Sequence, residues 1–200
     1  MVSAPQLSPE ILQNIANQIA ERLPISSELA APGASGGLGE SLRVALLPED
    51  RLLTGSGALS ERIVETGQWH HQIHSDNQVP TFARSIEAPD APGAPAEVVE
   101  VVDSPLSEEL NRAIAWADAN VPQDGEAQVI MAPSHFFTGL WLYGPTIDAI
   151  IPASSASSIP GLAPETLVPA DVFLEILART PSVQGLGLRG DEEEPFEAGA

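Results

Sequence analysis

The chain contains no cysteine and no lysine. Without thiols it forms no disulfide, zinc–thiolate site or iron–sulfur cluster and runs no thiol catalysis, a composition that suits a reducing compartment. Without lysine it has no Schiff-base chemistry, no pyridoxal phosphate attachment and no phosphate-loop lysine. All eight basic side chains are arginine, against 28 acids, and the formal charge is −20. A basic footprint is missing, so binding of nucleic acid through phosphate neutralisation is not expected, and an anionic membrane surface repels the chain. No apolar run reaches the length of a membrane-spanning helix, and the first residues lack the basic and apolar regions of a secretory signal. The expectation is a cytoplasmic protein with no membrane span.

What is present is enough for a core. Of 200 residues, 43% are hydrophobic, which supports one domain of ordinary size with tails. Ser8-Pro9-Glu10 reads as a helix start, with serine as cap, proline at the first helical position and an acid near the positive end of the helix. Ile11, Ile15, Ile19 and Leu23 then recur every four residues, one apolar stripe of an amphipathic helix that Pro24 ends. The stretch 25–41 is rich in Ser, Ala, Pro and Gly and reads as a linker. Its glycines do not make a phosphate loop, since no lysine follows and no strand precedes them.

From residue 42 short apolar runs alternate with turn residues. Strands are expected over 42–47, 69–75, 79–86, 97–103, 127–131, 135–143 and 147–151, with a strand or short helix at 61–65. A second helix opens at Ser107-Glu108-Glu109, and a third runs from Pro169 to Pro181. The tail 181–200 is glycine-rich and then acidic, a composition that stays disordered. Within it, Gly185-Leu186-Gly187-Leu188-Arg189-Gly190 resembles the short C-terminal docking peptides of proteins loaded into bacterial encapsulin shells. The resemblance covers these six residues alone, and no family is assigned on them. Helices and strands follow one another irregularly, which predicts an α+β fold with a mainly antiparallel sheet and a few packed helices.

The densest polar cluster is Trp69-His70-His71-Gln72-Ile73-His74. A two-residue turn at Asp76-Asn77 sets His71 opposite Phe82 and Trp69 opposite Arg84, so that Trp69, His71 and Arg84 share a face and the guanidinium lies over the indole. His70 and His74 stand roughly 13 Å apart on a strand at ~3.3 Å per residue, and no cysteine completes a metal site, so neither metal nor cofactor is expected. Ser134-His135 has the residue types of a nucleophile and base, but neighbours on a strand point to opposite faces. No G-x-S-x-G elbow surrounds any serine. No catalytic constellation emerges.

The sequence thus describes an N-terminal helix (1–24), a linker (25–41), one α+β domain (42–180) and an acidic flexible tail (181–200). Its expected function is that of a non-catalytic accessory or adaptor protein. The stripe Ile11, Ile15, Ile19 and Leu23 is the expected docking face, either for a protein partner or for the chain's own domain. The alternative is a small-ligand binder or enzyme built on the His70–His74 hairpin, with Trp69, His71 and Arg84 converging on the ligand.

Overall fold

The computed structural model of the chain describes residues 4–5, 7–22, 37–74, 80–89, 91–121 and 125–183. Leu23, the Asp76-Asn77 turn, the hexapeptide at 185–190 and the acidic stretch from Asp191 lie outside the described residues. Helix α1 (Pro9–Arg22) begins at the Ser-Pro-Glu signature, where the Ile11 amide donates to Ser8 Oγ at 3.4 Å. Then follow β1 (Gly37–Leu46), α2 (Glu49–Thr54), α3 (Leu59–Arg62), β2 (Val64–His74), β3 (Thr81–Ala88) and β4 (Ala91–Asp103). Helix α4 (Pro105–Asn120) leads to β5 (Glu126–Ala132), β6 (Phe137–Tyr143), β7 (Asp148–Pro152), β8 (Val168–Pro169) and α5 (Ala170–Arg179).

The strands form one sheet in the order β4-β3-β2-β1-β5-β6-β7-β8, antiparallel throughout except where β1 meets β5. The fold is α+β. Alternation along the strands gives each face its own apolar layer. On one face Ala45, Ile130, Trp141 and Ile150 pack under α2, α3 and α5. On the other, Leu42, Val44, Val129 and Leu140 pack under Leu110, Ala113 and Ala117 of α4.

Helix α1 covers the far end of the first face. Ile15 and Ile19 are 0% and 1% exposed, packed with Ile73, Ala83 and Val98, and Ile11 joins them. The stripe expected to dock a partner is therefore closed by the chain's own sheet at Ile11, Ile15 and Ile19. An apolar stripe signals that it must be covered, not by which surface. Gln18 adds a polar lock on β4, the outermost strand: its side-chain oxygen accepts from the Val98 amide at 2.8 Å and its nitrogen donates to the Ala96 carbonyl at 3.0 Å.

Several boundaries differ from expectation: β2 begins at Val64 rather than 69, β4 at Ala91 rather than 97, and α2 is not among the expected helices. Strand β1 begins at Gly37, so residues 37–41 belong to the sheet rather than to a linker. At Gly39 a Cβ would meet the exposed His74 ring, which would have to turn aside. Helix α4 starts at Pro105 with Ser104 as its cap, Oγ accepting from the Leu106 amide at 3.2 Å. Ser107, the expected cap, is buried and donates to the Thr81 carbonyl at 2.9 Å. Strand β6 begins at Phe137; Pro133–His135 form a 3-10 turn, and Phe136 follows in the left-handed region (φ 50°, ψ 32°) with its ring exposed.

Candidate functional site

The hairpin register decides which side chains of the histidine cluster meet. Strand β2 pairs Gln72 with Phe82, His71 with Ala83, His70 with Arg84 and Trp69 with Ser85. This is one residue away from the expected register, and a one-residue slip exchanges the faces of one strand relative to the other. Trp69 and His71 consequently share a face with Ser85 and Ala83, while Arg84 lies on the opposite face with His70 and Phe82. The expected convergence of Trp69, His71 and Arg84 is not formed. Arg84 instead lies over the Phe82 ring at 5.4 Å and pairs with Glu100 at 3.6 Å.

Both central histidines are held neutral. His71 is fully enclosed between two serines, Nδ1 2.8 Å from Ser41 Oγ and Nε2 2.7 Å from Ser85 Oγ. Burial lowers its pKa to about 4. A neutral imidazole carries one N–H, so one serine hydroxyl accepts from the ring and the other donates to it. His70 stacks on Phe82 at 4.7 Å, and its Nε2 is buried without a partner among the described residues. Burial, then the charges of His71 and Arg84, lower its pKa to about 3. These rings are core groups.

The guanidinium over Trp69 belongs to Arg43, at 5.3 Å from the ring. Glu87 fixes the surroundings: its carboxylate accepts from Trp69 Nε1 at 3.1 Å and from the Gly93 amide at 2.8 Å. Arg43 Nη2 donates to the Gly93 carbonyl at 3.3 Å. Two local features open a cavity of about 320 Å³ here, bounded by Arg43, Glu65, Gly67, Gln68, Glu87 and Gly93. Val44 and Ala45 pair with Gln68 and Glu65, so Thr66 and Gly67 bulge out of β2. Gly67 and Gly93 both take positive φ, 65° and 91°. Beyond Arg43 the polar seam continues onto β5 and β6. Gln128 Nε2 donates to the Tyr143 hydroxyl at 2.9 Å, which donates to Glu126 at 2.7 Å. Burial and that carboxylate push the Tyr143 pKa up.

A second concavity, about 640 Å³, separates the α2–α3 corner from α5. Its floor is Leu52, Leu59 and Leu174, all buried, and Leu53 stands on the rim 61% exposed. Asp148, Asp171 and Glu175 line it. Its cation, Arg62, is already committed, donating from Nε and Nη1 to the carbonyls of Gly57 at 3.3 Å and Leu52 at 3.1 Å. The arrangement offers an apolar slot with an acidic edge.

The chain matches no known protein family, curated protein or solved structure. Geometry alone carries the functional reading.

Ser134 and His135 require a correction. They sit on the turn before β6 rather than on a strand, and Ser134 Oγ lies 3.0 Å from His135 Nδ1. His135 Nε2 lies 3.1 Å from the Thr180 carbonyl, which can only accept, so Nε2 carries the proton and the serine hydroxyl donates to Nδ1. The Val183 amide donates to the Ser134 carbonyl at 2.7 Å, and the set clamps the end of α5 to the β5–β6 corner. Among the described residues no three His, Asp or Glu side chains gather to hold a metal, and no helix is long and apolar enough to cross a membrane.

Sequence reasoning missed Arg43, Glu87, Gln128 and Leu53. No local signal marks the first of these sites, and Pro92 and Gly93 lie inside β4.

Proposed function

We propose that the chain is a non-catalytic interaction module of the cytoplasm whose α2–α3/α5 groove receives a basic segment of another protein, seated by one apolar side chain. The observation that carries this reading is Leu53, 61% exposed beside a leucine-floored slot whose acids are Asp148, Asp171 and Glu175. An exposed large aliphatic beside an apolar slot offers surface for an inserted apolar group to cover, and the carboxylates favour arginine or lysine on either side of it. A formal charge of −20 steers such partners in and repels acidic ones.

The test uses fluorescein-labelled peptides and anisotropy. A twelve-residue peptide of alternating arginine and leucine is expected to bind the full chain more tightly than an arginine–serine peptide of the same length. Leu53→Asp, at an exposed position, is expected to keep the thermal midpoint and weaken binding at least tenfold. The double variant Asp171→Asn, Glu175→Gln weakens it further as salt is lowered. Equal binding of the two peptides, or no effect of Leu53→Asp, reduces the attraction to bulk charge and ends the groove reading.

A further inference from the structure

We infer, resting on the proposal that the α2–α3/α5 groove receives a basic segment, that this segment docks as an amphipathic α-helix. It presents one apolar stripe to the leucine floor and arginine or lysine along the border of that stripe. The first ground is the size of the groove. Asp171, Leu174, Glu175 and Ala178 line it, a single stripe of α5 at helical spacing. On this side it runs ~10 Å along the helix axis, at ~1.5 Å per residue. A volume of about 640 Å³ over that length leaves a section of roughly 60 Å², about 9 Å across. A strand lies only ~4.8 Å from its neighbour, whereas packed helix axes stand ~8–10 Å apart. The width suits a helix.

The second ground is the main chain of the walls, which is already bonded. The Gly55 amide donates to the Arg51 carbonyl at 3.0 Å, and the carbonyls of Ala58 and Leu59 accept from the amides of Glu61 and Ile63. Arg62 takes the carbonyls of Gly57 and Leu52. Opposite them stands α5, which pairs its backbone within itself. The long walls are thus helices and a turn rather than a strand edge. An extended segment pressed into the slot would bury amides and carbonyls with nothing to pair them. A helix brings its backbone already satisfied.

Charge fixes the border of the stripe. Asp171 and Glu175 stand four residues apart on α5, one helical turn, and both are exposed. Cations one turn apart on a helix laid alongside would meet them in register, as charged pairs flank the seam of a coiled coil. Glu175 holds Arg179 at 3.1 Å, but both side chains are mostly exposed and such a pair exchanges at little cost. Asp148, steadied by Trp141 Nε1 at 2.8 Å, extends the acidic edge beyond α5.

Anisotropy on the full chain compares two labelled peptides of one composition, six leucines and six arginines. One alternates them. The other places leucine at the first, fourth, fifth, eighth, eleventh and twelfth positions, which forms a stripe only when the peptide is helical. The phased peptide is expected to bind at least tenfold more tightly and to gain helical far-ultraviolet circular dichroism on binding. A proline at its middle is expected to remove that advantage. Leu53→Asp is expected to weaken both peptides. If the two bind equally and both respond to Leu53→Asp, the helix is overturned and the groove reading stands. If neither responds, both fall. Tight binding of the phased peptide with no gain of helical signal also overturns the helix.

Discussion

His70 and His71 are neighbours on β2 that face opposite sides of the sheet, and neither ring reaches solvent. Their folded pKa values, about 3 and about 4, lie below the ordinary 6.5, so the unfolded chain takes up these protons first. Their contribution to stability is complete above pH 6.5 and is lost as pH falls through 6.5 toward those values, each by at most about 1.4 kcal/mol per pH unit. Acid also relieves repulsion among the carboxylates, which opposes the loss and makes a comparison of variants the clean measurement. His70→Leu removes a ring nitrogen that has no partner among the described residues, and near pH 7 it is expected to lie within about 1.5 kcal/mol of the native chain. In urea unfolding at pH 7, 5.5 and 4.5 the variant is expected to gain steadily on the native protein; parallel curves would show that His70 titrates normally. Phe136 is a second residue-scale case. Its left-handed backbone costs about 1–2 kcal/mol, and its ring is 75% exposed. Phe136→Gly is therefore expected to raise the urea midpoint slightly, whereas a fall would mean that the ring is packed against something.

At the scale of the element, α1 is held to the sheet by two fully buried isoleucines. Ile15→Ala or Ile19→Ala is expected to cost about 2–5 kcal/mol, as for other fully buried aliphatics. Gln18→Ala is expected to cost less but to uncover the Val98 amide and the Ala96 carbonyl on the outermost strand, and open edges recruit other strands. Sedimentation velocity is expected to show concentration-dependent association of Gln18→Ala that the native chain lacks; a monomer at all concentrations would make the amide a mere tether. The three longer helices were legible because their signals are local, Ser8-Pro9-Glu10 marking α1 at the residue, whereas the short α2 was not. The same Ser-Pro signal at Ser104-Pro105 was outweighed by the acids after Ser107, although Ser107 is needed to donate into β3. The sheet's antiparallel character was legible from strand lengths and turns. The register of β2 and β3 was not, because its turn residues fit more than one loop. The Arg43 site was illegible for a related reason. Its floor comes from β2, its walls from β3 and β4 and its cation from β1, and only the register makes them neighbours.

At the scale of the molecule, charge dominates. With eight arginines to 28 acids, pairs such as Arg84–Glu100 and Arg179–Glu175 leave a formal charge of −20, which presses outward on the folded domain. The Debye length falls from ~30 Å at 0.01 M salt to ~8 Å at 0.15 M, so the thermal midpoint is expected to rise over that range. Residues 184–200 hold five acids and one arginine, a small share of the total, and truncation at Val183 is expected to keep most of the rise. A flat response would mean that the acids are too far apart to repel.

The parallel contact of β1 with β5 has a consequence for how the chain is made. Every other pairing in the sheet joins strands consecutive in sequence, but Val44 meets Val129 across 85 positions. As the polypeptide leaves the ribosome, β1 to β4 can zip up one after another while the far side of β1 stands without a neighbour. That side closes only after α4 and β5 have been synthesised. Like the docking of α1 on β4, where Gln18 reaches Val98 across 80 positions, this closure is long-range, and folding is expected to wait on it during synthesis.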